Sequence, residues 1–260
     1  MFKSNSILLA ACGGAVAMAA VLSGAGVGTL RANSVTFTDS FNRAATTAAT
    51  ASTSPNPIGN GWVISPDSAA STWQITASPA GGGGNVLKAT NAGDVQPPND
   101  NPILMVNSAA ETPATGGFTM SVDFATPTVT NNGWYPGLVF NYQNAHNYYY
   151  VRVMTGKSGS LQVFKVVNGA NALYFANPST TLASNLTANT FYKLTVTLTA
   201  PHSYTFSVST LGSSPTVLQT ASLTDSTFTG GEGGVIQQGG TPPASDYFSN
   251  FSDTYTRRGH

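Results

Sequence analysis

One stretch of the chain combines aromatic rings with hydrogen-bonding groups at strand spacing. Tyr148, Tyr150 and Arg152 alternate along one run, with Asn141 in the run before it and Gln162 in the run after it. Side chains two residues apart on a strand point to the same face of a sheet. Tyrosine rings can stack on the apolar face of a sugar, while amide and guanidinium groups bond its hydroxyls. These residues therefore form a candidate ligand-binding face.

The turn between the first two runs decides whether that face exists. A four-residue loop at residues 143–146 places Asn141 opposite Tyr148 and keeps Arg152 on the polar face. A three-residue loop would instead place Arg152 opposite Leu138, among apolar residues. Burying an unpaired arginine is costly, so the four-residue loop is the register we predict.

The same residues also suit a surface that binds nothing. Tyrosine is common on strands, and Arg152 would then pair with Asp123 or with a loop carbonyl. Asp123 is also a candidate ligand-binding residue, because it lies at a polar position of the run from Phe118 to Ala125. Both interpretations remain open at this stage.

Alternating apolar and polar residues predict strands along the rest of the chain. In the last of them, Tyr247, Ser249, Phe251, Asp253 and Tyr255 are predicted to share one face. No helical periodicity follows residue 33, and no repeat of fixed length is evident. The pattern predicts an all-β fold, a two-sheet antiparallel sandwich, with residues 33–260 as a single domain.

Composition restricts the partners of the chain. Charged residues make up 8% of the sequence, and the 10 Lys and Arg residues balance the 10 Asp and Glu residues. Nucleic-acid binding needs a basic stripe that this composition lacks. The balance equally disfavours recruitment to an anionic membrane surface. We expect no nucleic-acid partner and a monomer.

The first 32 residues are typical of a targeting segment. Lys3 precedes a run rich in small and apolar residues from Ile7 to Leu30, which predicts a secretory signal peptide cleaved after Ala32. The alternative is a lipoprotein anchored at Cys12, because Leu9-Ala10-Ala11-Cys12 is similar to a lipobox. We expect a secreted or cell-surface protein with no transmembrane span in the mature chain. Cys12 is the only cysteine, so the mature chain would have no disulfide.

The order of these elements resembles the concanavalin A-like lectin/glucanase superfamily, especially the LamG-like jelly rolls of bacterial secreted proteins. The resemblance lies in residues 137–142, 147–153 and 161–169, in the opening Asp39-Ser40-Phe41-Asn42-Arg43 and in the closing Tyr247-Phe248-Ser249-Asn250-Phe251. It spans most of residues 35–255. It implies a jelly-roll sandwich whose two terminal strands lie side by side, while the superfamily includes lectins, glycosidases, lyases and adhesion modules.

The chain departs from the catalytic pattern of that superfamily. Its glucanases carry a Glu-x-Asp-x-x-Glu strand, whereas this chain has two glutamates, Glu111 and Glu232, far apart in sequence. Asp123 is the nearest analogue and has no other acid close along its strand. Glycoside hydrolysis ordinarily needs two carboxylates about 5–10 Å apart. The resemblance therefore implies the fold and does not carry the hydrolase activity.

A calcium ion is the one cofactor that the resemblance allows, at an end of the sandwich. Asp39 and Asp253 are the metal candidates, followed by Asp94 and Asp100, although no Asp-x-Asp-x-Asp-Gly loop is present. The predicted function is a secreted, non-catalytic, lectin-like module that binds a polysaccharide or glycoconjugate on the concave sheet. The alternatives are a glycoside hydrolase or polysaccharide lyase of the same fold, using Asp123 with Arg152, and a structural or adhesion module without a small ligand.

Overall fold

A computed structural model describes residues 33–50, 52–53, 56–65, 72–81, 83–91, 103–113, 116–127, 129, 135–156, 159–176, 181–238 and 244–257. Every regular element in these ranges is a β-strand. No helix there is long and apolar enough to cross a membrane. The predicted signal peptide, Cys12, Asp94 and Asp100 lie outside the described residues.

The described residues form fifteen strands, and the predicted runs fall within them. The strands are β1 Asn33–Asp39, β2 Trp62–Ile64, β3 Thr72–Ala77, β4 Asn85–Asn91, β5 Ile103–Glu111, β6 Phe118–Ala125, β7 Tyr135–Asn144, β8 Asn147–Met154, β9 Ser160–Val167, β10 Ala170–Ala176, β11 Tyr192–Ala200, β12 Ser203–Thr210, β13 Val217–Thr224, β14 Glu232–Gln238 and β15 Ala244–Arg257.

The strands pair into two antiparallel sheets, as predicted for a jelly-roll sandwich. The eight-stranded sheet has the order β13-β12-β11-β6-β15-β4-β3, with β1 also paired to β15. The seven-stranded sheet has the order β10-β9-β8-β7-β14-β5-β2. The terminal strands β1 and β15 lie side by side, because Asn33 faces Arg257 and Asp39 faces Phe251.

The main core lies between the sheets and follows from the alternation of each strand. Phe118, Met120, Val122 and Phe124 of β6 point inward, as do alternate residues of β8, β11 and β12. The inner rings contact one another, with the Phe140 and Tyr149 rings 5.3 Å apart and stacked. Burial of these apolar faces is the main source of stability in such a sandwich.

Strand β15 does not keep the alternation that we predicted for it. Its pairing with β6 shifts between Ser249 and Ser252, and Asn250 adopts a positive φ of 49°. Phe248 and Phe251 are both buried in the core, so Ser249 lies on the opposite face from Asp253. The prediction that Tyr247 and Ser249 share a face with Asp253 is therefore wrong. A bulge moves one residue of the strand out of the pleat and reverses the faces beyond it.

The predicted hairpin register is confirmed in part. Gly137 faces Arg152 and Phe140 faces Tyr149, as the four-residue loop required. The loop itself is a two-residue turn, because Asn144 faces Asn147, and the register shifts between Phe140 and Asn144. The extra residues form a bulge in β7, so the prediction fails only beyond Phe140.

Candidate functional site

Four of the predicted ligand-binding residues do share a face, the outer face of the seven-stranded sheet. Tyr148, Tyr150 and Arg152 lie on β8, and Gln162 faces Arg152 from β9. The polar side chains on this face bind one another. Arg152 Nε donates to Gln162 Oε1 at 2.8 Å, and Arg152 Nη1 donates to Gln238 Oε1 at 2.6 Å.

Aromatic rings close this face further. The Arg152 guanidinium lies 4.1 Å from the Tyr135 ring centre and 4.5 Å from that of Phe164. Tyr150 stacks on Phe164 at 4.7 Å with an interplanar angle of 2°. Tyr148, Tyr150 and Arg152 are 3%, 0% and 8% exposed. The face that was predicted to stack on sugars is a second apolar cluster, and its rings already pack against one another.

Asn141 lies on the other side of the sheet from these residues. The β7 bulge gives it a positive φ of 49° and turns its side chain inward. Its Nδ2 donates to Tyr204 Oη at 2.8 Å and to the Phe228 carbonyl at 3.1 Å. Asn141 is fully buried, so its predicted place beside Tyr148 is wrong. It connects β7 of the seven-stranded sheet to Tyr204 of β12 in the eight-stranded sheet instead.

Asp123 lies on the eight-stranded sheet, which separates it from Arg152. The alternation of β6 directs it to the outer face, where its Cα neighbours are Lys193 and Ser249. Lys193 Nζ lies 2.7 Å from Asp123 Oδ1, and Asn250 Nδ2 donates to Asp123 Oδ2 at 2.9 Å. The predicted pair of Asp123 with Arg152 is therefore wrong, since the two residues lie on opposite outer faces.

Two adjoining surface cavities lie beside the Asp123–Lys193 ion pair, and we call them together the β15 groove. The larger, about 550 Å³, is lined among others by Asn42 and Lys193. The smaller, about 260 Å³, is lined by Asp123 and by the apolar side chains of Phe191 and Leu211. Both cavities share Ser40, Asn42 and Asn250 in their walls.

The groove exists because β15 changes partner along one edge. Residues 244–248 of β15 pair with β4, while residues 251–257 pair with β1. Neither neighbour pairs with Ser249 or Asn250, so the sheet has a notch there. Asn250 at the bulge and Phe41 beyond β1 both have positive φ, 49° and 57°. Asparagine tolerates this conformation better than most residues, whereas for phenylalanine it is unusual.

Asp39 lines the groove, and protein donors already bind both of its carboxylate oxygens. Its Oδ1 accepts from the Phe41 amide at 2.7 Å and from Arg43 Nη1 at 2.8 Å. Its Oδ2 accepts from Arg43 Nη2 at 2.9 Å, from Asn60 Nδ2 at 3.2 Å and from Trp62 Nε1 at 2.8 Å. Burial alone would raise the pKa of Asp39, but these bonds outweigh it and hold the pKa below its ordinary value. These bonds give Asp39 a structural role, and its predicted calcium role stays a prediction.

Asp253, the other calcium candidate, is buried between Phe37 of β1 and Met120 of β6, its Cα partners in the sheet. It is 0% exposed, and its carboxylate oxygens accept no hydrogen bond from the described residues. Burial, with the nearby Glu111 charge, raises the pKa of Asp253 to about 8. Within the described ranges, no three His, Cys, Asp or Glu side chains group as metal ligands would.

The structure also brings the two glutamates together, although they are far apart in sequence. Glu111 on β5 faces Glu232 on β14 as Cα partners. Burial raises the pKa of Glu232. Both residues lie on the seven-stranded sheet, whereas the β15 groove lies on the eight-stranded sheet. The described lining of the groove includes neither glutamate.

Sequence reasoning missed Lys193, Asn250, Ser40 and Asn42. Lys193 stands at a polar position of an alternating strand, a pattern that also fits a solvent-facing lysine. The spacing of Phe248 and Phe251 was the available signal, because two core residues three apart cannot both point inward on a regular strand.

No protein-family model matches the chain, and no curated protein does. Solved structures share its fold. A protein of unknown function from Shewanella oneidensis MR-1 is 13% identical with a TM-score of 0.56, covering 88% of this chain and 89% of that one. The CBM2 module of the evolved Dit protein of Lactobacillus casei BL23 phage J-1 is 11% identical with a TM-score of 0.52, covering 88% and 99%. Carbohydrate-binding module CBM66 from Bacillus subtilis is 20% identical, with a TM-score of 0.48 and coverage of 74% and 94%.

Proposed function

We propose that this protein is a non-catalytic carbohydrate-binding module whose ligand occupies the β15 groove. The observation that carries the proposal is the cluster of Asp123, Lys193 and Asn250, which places a carboxylate, an ammonium and an amide within one hydrogen-bonded group. The fold alone does not choose between binding, catalysis and adhesion.

The polar groups of the groove match the hydrogen-bonding needs of a sugar. A sugar hydroxyl donates one hydrogen bond and accepts others, so it needs acceptors and donors side by side. Asp123 supplies an acceptor, Lys193 supplies donors, and Asn250 and Asn42 supply both. The hydroxyls of Ser40, Ser249 and Ser252 line the same walls.

The groove also has an apolar wall. Phe191 and Leu211 line the smaller cavity beside Asp123. Leu211 is 39% exposed, whereas most large apolar side chains in the described part of the chain are buried. A wall of this kind suits the C–H face of a sugar ring, while the polar groups opposite it fix the orientation of the ring.

The carboxylates of the groove favour binding over hydrolysis. Hydrolysis ordinarily needs a nucleophile or base together with a carboxylic acid that donates a proton. Asp39 is the second carboxylate of the groove, but five protein donors occupy it and its pKa is lowered. A carboxylate held in this way stays ionised and has no proton to donate at neutral pH.

Three further statements belong to the proposal and come from the sequence. We propose that residues 1–32 export the chain, either as a cleaved signal or through lipidation of Cys12. The mature domain would then act outside the cell or at its surface. Calcium, with Asp39 and Asp253 as the first candidate ligands and Asp94 and Asp100 after them, is a cofactor to be tested.

The first experiment is a glycan-array screen of the mature domain with and without calcium, followed by titration of the strongest ligand. Asn250→Gly keeps the positive φ and removes the amide, so we expect affinity to fall by roughly tenfold or more. Asn189→Gly is the matched control, because Asn189 also has a positive φ, 57°, but lies outside the groove lining.

The outcomes separate the alternatives. Binding that Asn250→Gly weakens and Asn189→Gly preserves supports the groove. Equal binding by both variants would place the ligand elsewhere and overturn the site. Release of reducing sugar would overturn the non-catalytic function and direct attention to Glu111 and Glu232. No binding on a broad array would leave the adhesion or structural module as the better account.

A further inference from the structure

Every described charge in the β15 groove has a partner of opposite sign. Asp39 and Arg43 form a bidentate pair, with 2.8 Å from Nη1 to Oδ1 and 2.9 Å from Nη2 to Oδ2. Lys193 and Asp123 form a second pair at 2.7 Å. These four residues are the charged side chains in the described lining. The groove therefore has no net charge, although it is polar.

The paired N–H groups of Arg43 are already occupied by protein acceptors in this arrangement. Its Nη1 and Nη2 hold the Asp39 carboxylate, and its Nε donates to the Ile58 carbonyl at 2.8 Å. A carboxylate or sulfate ligand is normally bound by the paired N–H groups of an arginine. Here an internal carboxylate already occupies that fork. Displacing Asp39 would also break its bond to Trp62.

Lys193 is the more accessible cation, with 37% of its side chain exposed, but its counter-charge stays close. An anion that approached the ammonium would also approach the Asp123 carboxylate, 2.7 Å from Nζ. Asp123 is held in place by Asn250 and is 4% exposed, so it cannot turn away into solvent. Attraction to one charge is opposed by repulsion from the other over nearly the same distance.

A neutral hydroxyl meets no such opposition. It can donate to a carboxylate and accept from an ammonium or amide, so a pair of hydroxyls uses both members of the ion pair. We infer that the β15 groove selects neutral, hydroxyl-rich glycans and discriminates against uronic, sialylated and sulfated ones. This inference rests on the proposed function and adds the ligand class to it.

The test compares neutral and anionic glycans on one array and then titrates the strongest binder at two salt concentrations. We expect that binder to be neutral, and its affinity to change by less than about twofold between roughly 0.05 and 0.5 M NaCl, because screening acts on net charge. An anionic binder with a steep salt dependence, whose binding Asn250→Gly still weakens, would overturn the inference and leave the proposed function intact. Absence of binding to every glycan would overturn both.

A charge variant gives the inference a positive readout. Asp123→Asn retains an oxygen that can accept from Asn250 but leaves Lys193 without its counter-charge. We expect this variant to bind the C6-carboxylate form of the neutral ligand at least about tenfold more tightly than the natural protein does. Lys193→Gln removes the cation and should show no such gain. A thermal melt of each variant confirms folding, and an unchanged preference in folded Asp123→Asn would contradict the inference.

Discussion

Asp39 links the two sheets through a single carboxylate. It ends β1 on the eight-stranded sheet and accepts the indole N–H of Trp62 from β2 on the seven-stranded sheet. Trp62 in turn packs against Phe41 at 5.4 Å and against Phe251 at 5.1 Å between ring centres. The opening motif Asp39-Ser40-Phe41-Asn42-Arg43 therefore closes this edge of the sandwich, and it does so with the residues that the resemblance had emphasised.

Replacing Asp39 tests this role. Asp39→Asn keeps the shape but removes the charge that Arg43 and Trp62 bind, so we expect the free energy of unfolding to fall by about 2–3 kcal/mol. Breaking a fully buried pair costs about 3–5 kcal/mol, and Arg43 is partly exposed, which reduces the effect. Urea denaturation at pH 7 measures the change.

Arg43→Lys is the matched variant for that measurement. It keeps the positive charge and loses the two parallel bonds, so an intermediate loss is expected. A loss below about 0.5 kcal/mol in Asp39→Asn would show that the network is no stronger than an ordinary surface ion pair.

At the scale of single strands, bulges decide where the polar groups point. Asn141 and Asn250 both have a φ of 49°, and each shifts the register of its strand. The alternation before each bulge was predictable from sequence, and so was the hairpin pairing of Gly137 through Phe140. The bulges were not predicted. The three-residue spacing of Phe248 and Phe251 signals an irregularity near Asn250, but where each bulge forms depends on partners from distant strands, Tyr204 for Asn141 and Asp123 for Asn250.

The second apolar cluster, on the outer face of β8 and β9, changes the expected effect of mutating Tyr150. As a sugar platform, Tyr150 would be replaceable without loss of stability. Because it is 0% exposed and stacked on Phe164, we expect Tyr150→Ala to lower the free energy of unfolding by about 3–5 kcal/mol. Tyr150→Phe keeps the ring stack and should cost much less. Thermal or urea unfolding measures both variants.

The contrary result would restore the original interpretation of this face. If Tyr150→Ala unfolded at the same urea concentration as the natural protein and lost glycan binding, the ligand would lie on the seven-stranded sheet. The β15 groove would then no longer be the binding site. Measuring both properties on the same preparation separates the two cases.

At the scale of the whole molecule, the sandwich could be predicted and the site could not. Strand alternation is local, so each predicted run indicated the fold class by itself, although the predicted runs do not account for all fifteen strands. The site depends on which sheet each strand joins. Asp123 and Arg152 are 29 positions apart, and sequence spacing did not show that β6 and β8 lie in different sheets.

The molecule also carries two sets of acids whose pKa values are shifted in opposite directions. Burial alone would raise the pKa of Asp39 and Asp225, but hydrogen bonds and cations lower it, with Arg43 bound to Asp39 and Lys165 to Asp225. Burial raises the pKa of Asp246 well above its ordinary value and that of Asp253 to about 8. The folded protein therefore favours the ionised form of Asp39 and Asp225 and the protonated form of Asp246 and Asp253.

These two sets predict the shape of the stability profile. Below about pH 4 the folded protein must protonate Asp39 and Asp225, so stability falls with decreasing pH. Between about pH 4 and 8 the unfolded chain releases the proton of Asp253 while the folded chain keeps it, so stability falls with increasing pH. The raised pKa of Asp246 acts in the same direction. We expect the free energy of unfolding to be largest near pH 4–5.

Asp253→Asn isolates one side of that profile. The amide cannot ionise, so the variant should gain stability over the natural protein by about 1 kcal/mol per pH unit between roughly pH 5 and 7, with no gain at pH 4. Urea unfolding at four pH values measures this slope. The control is Asp225→Asn, which loses the low-pKa partner of Lys165 and should instead destabilise the protein most at neutral pH.

A difference between Asp253→Asn and the natural protein that did not change with pH would mean that Asp253 is ionised in the folded state. The carboxylate would then need a positive partner in the core, and calcium would become the first candidate to test there.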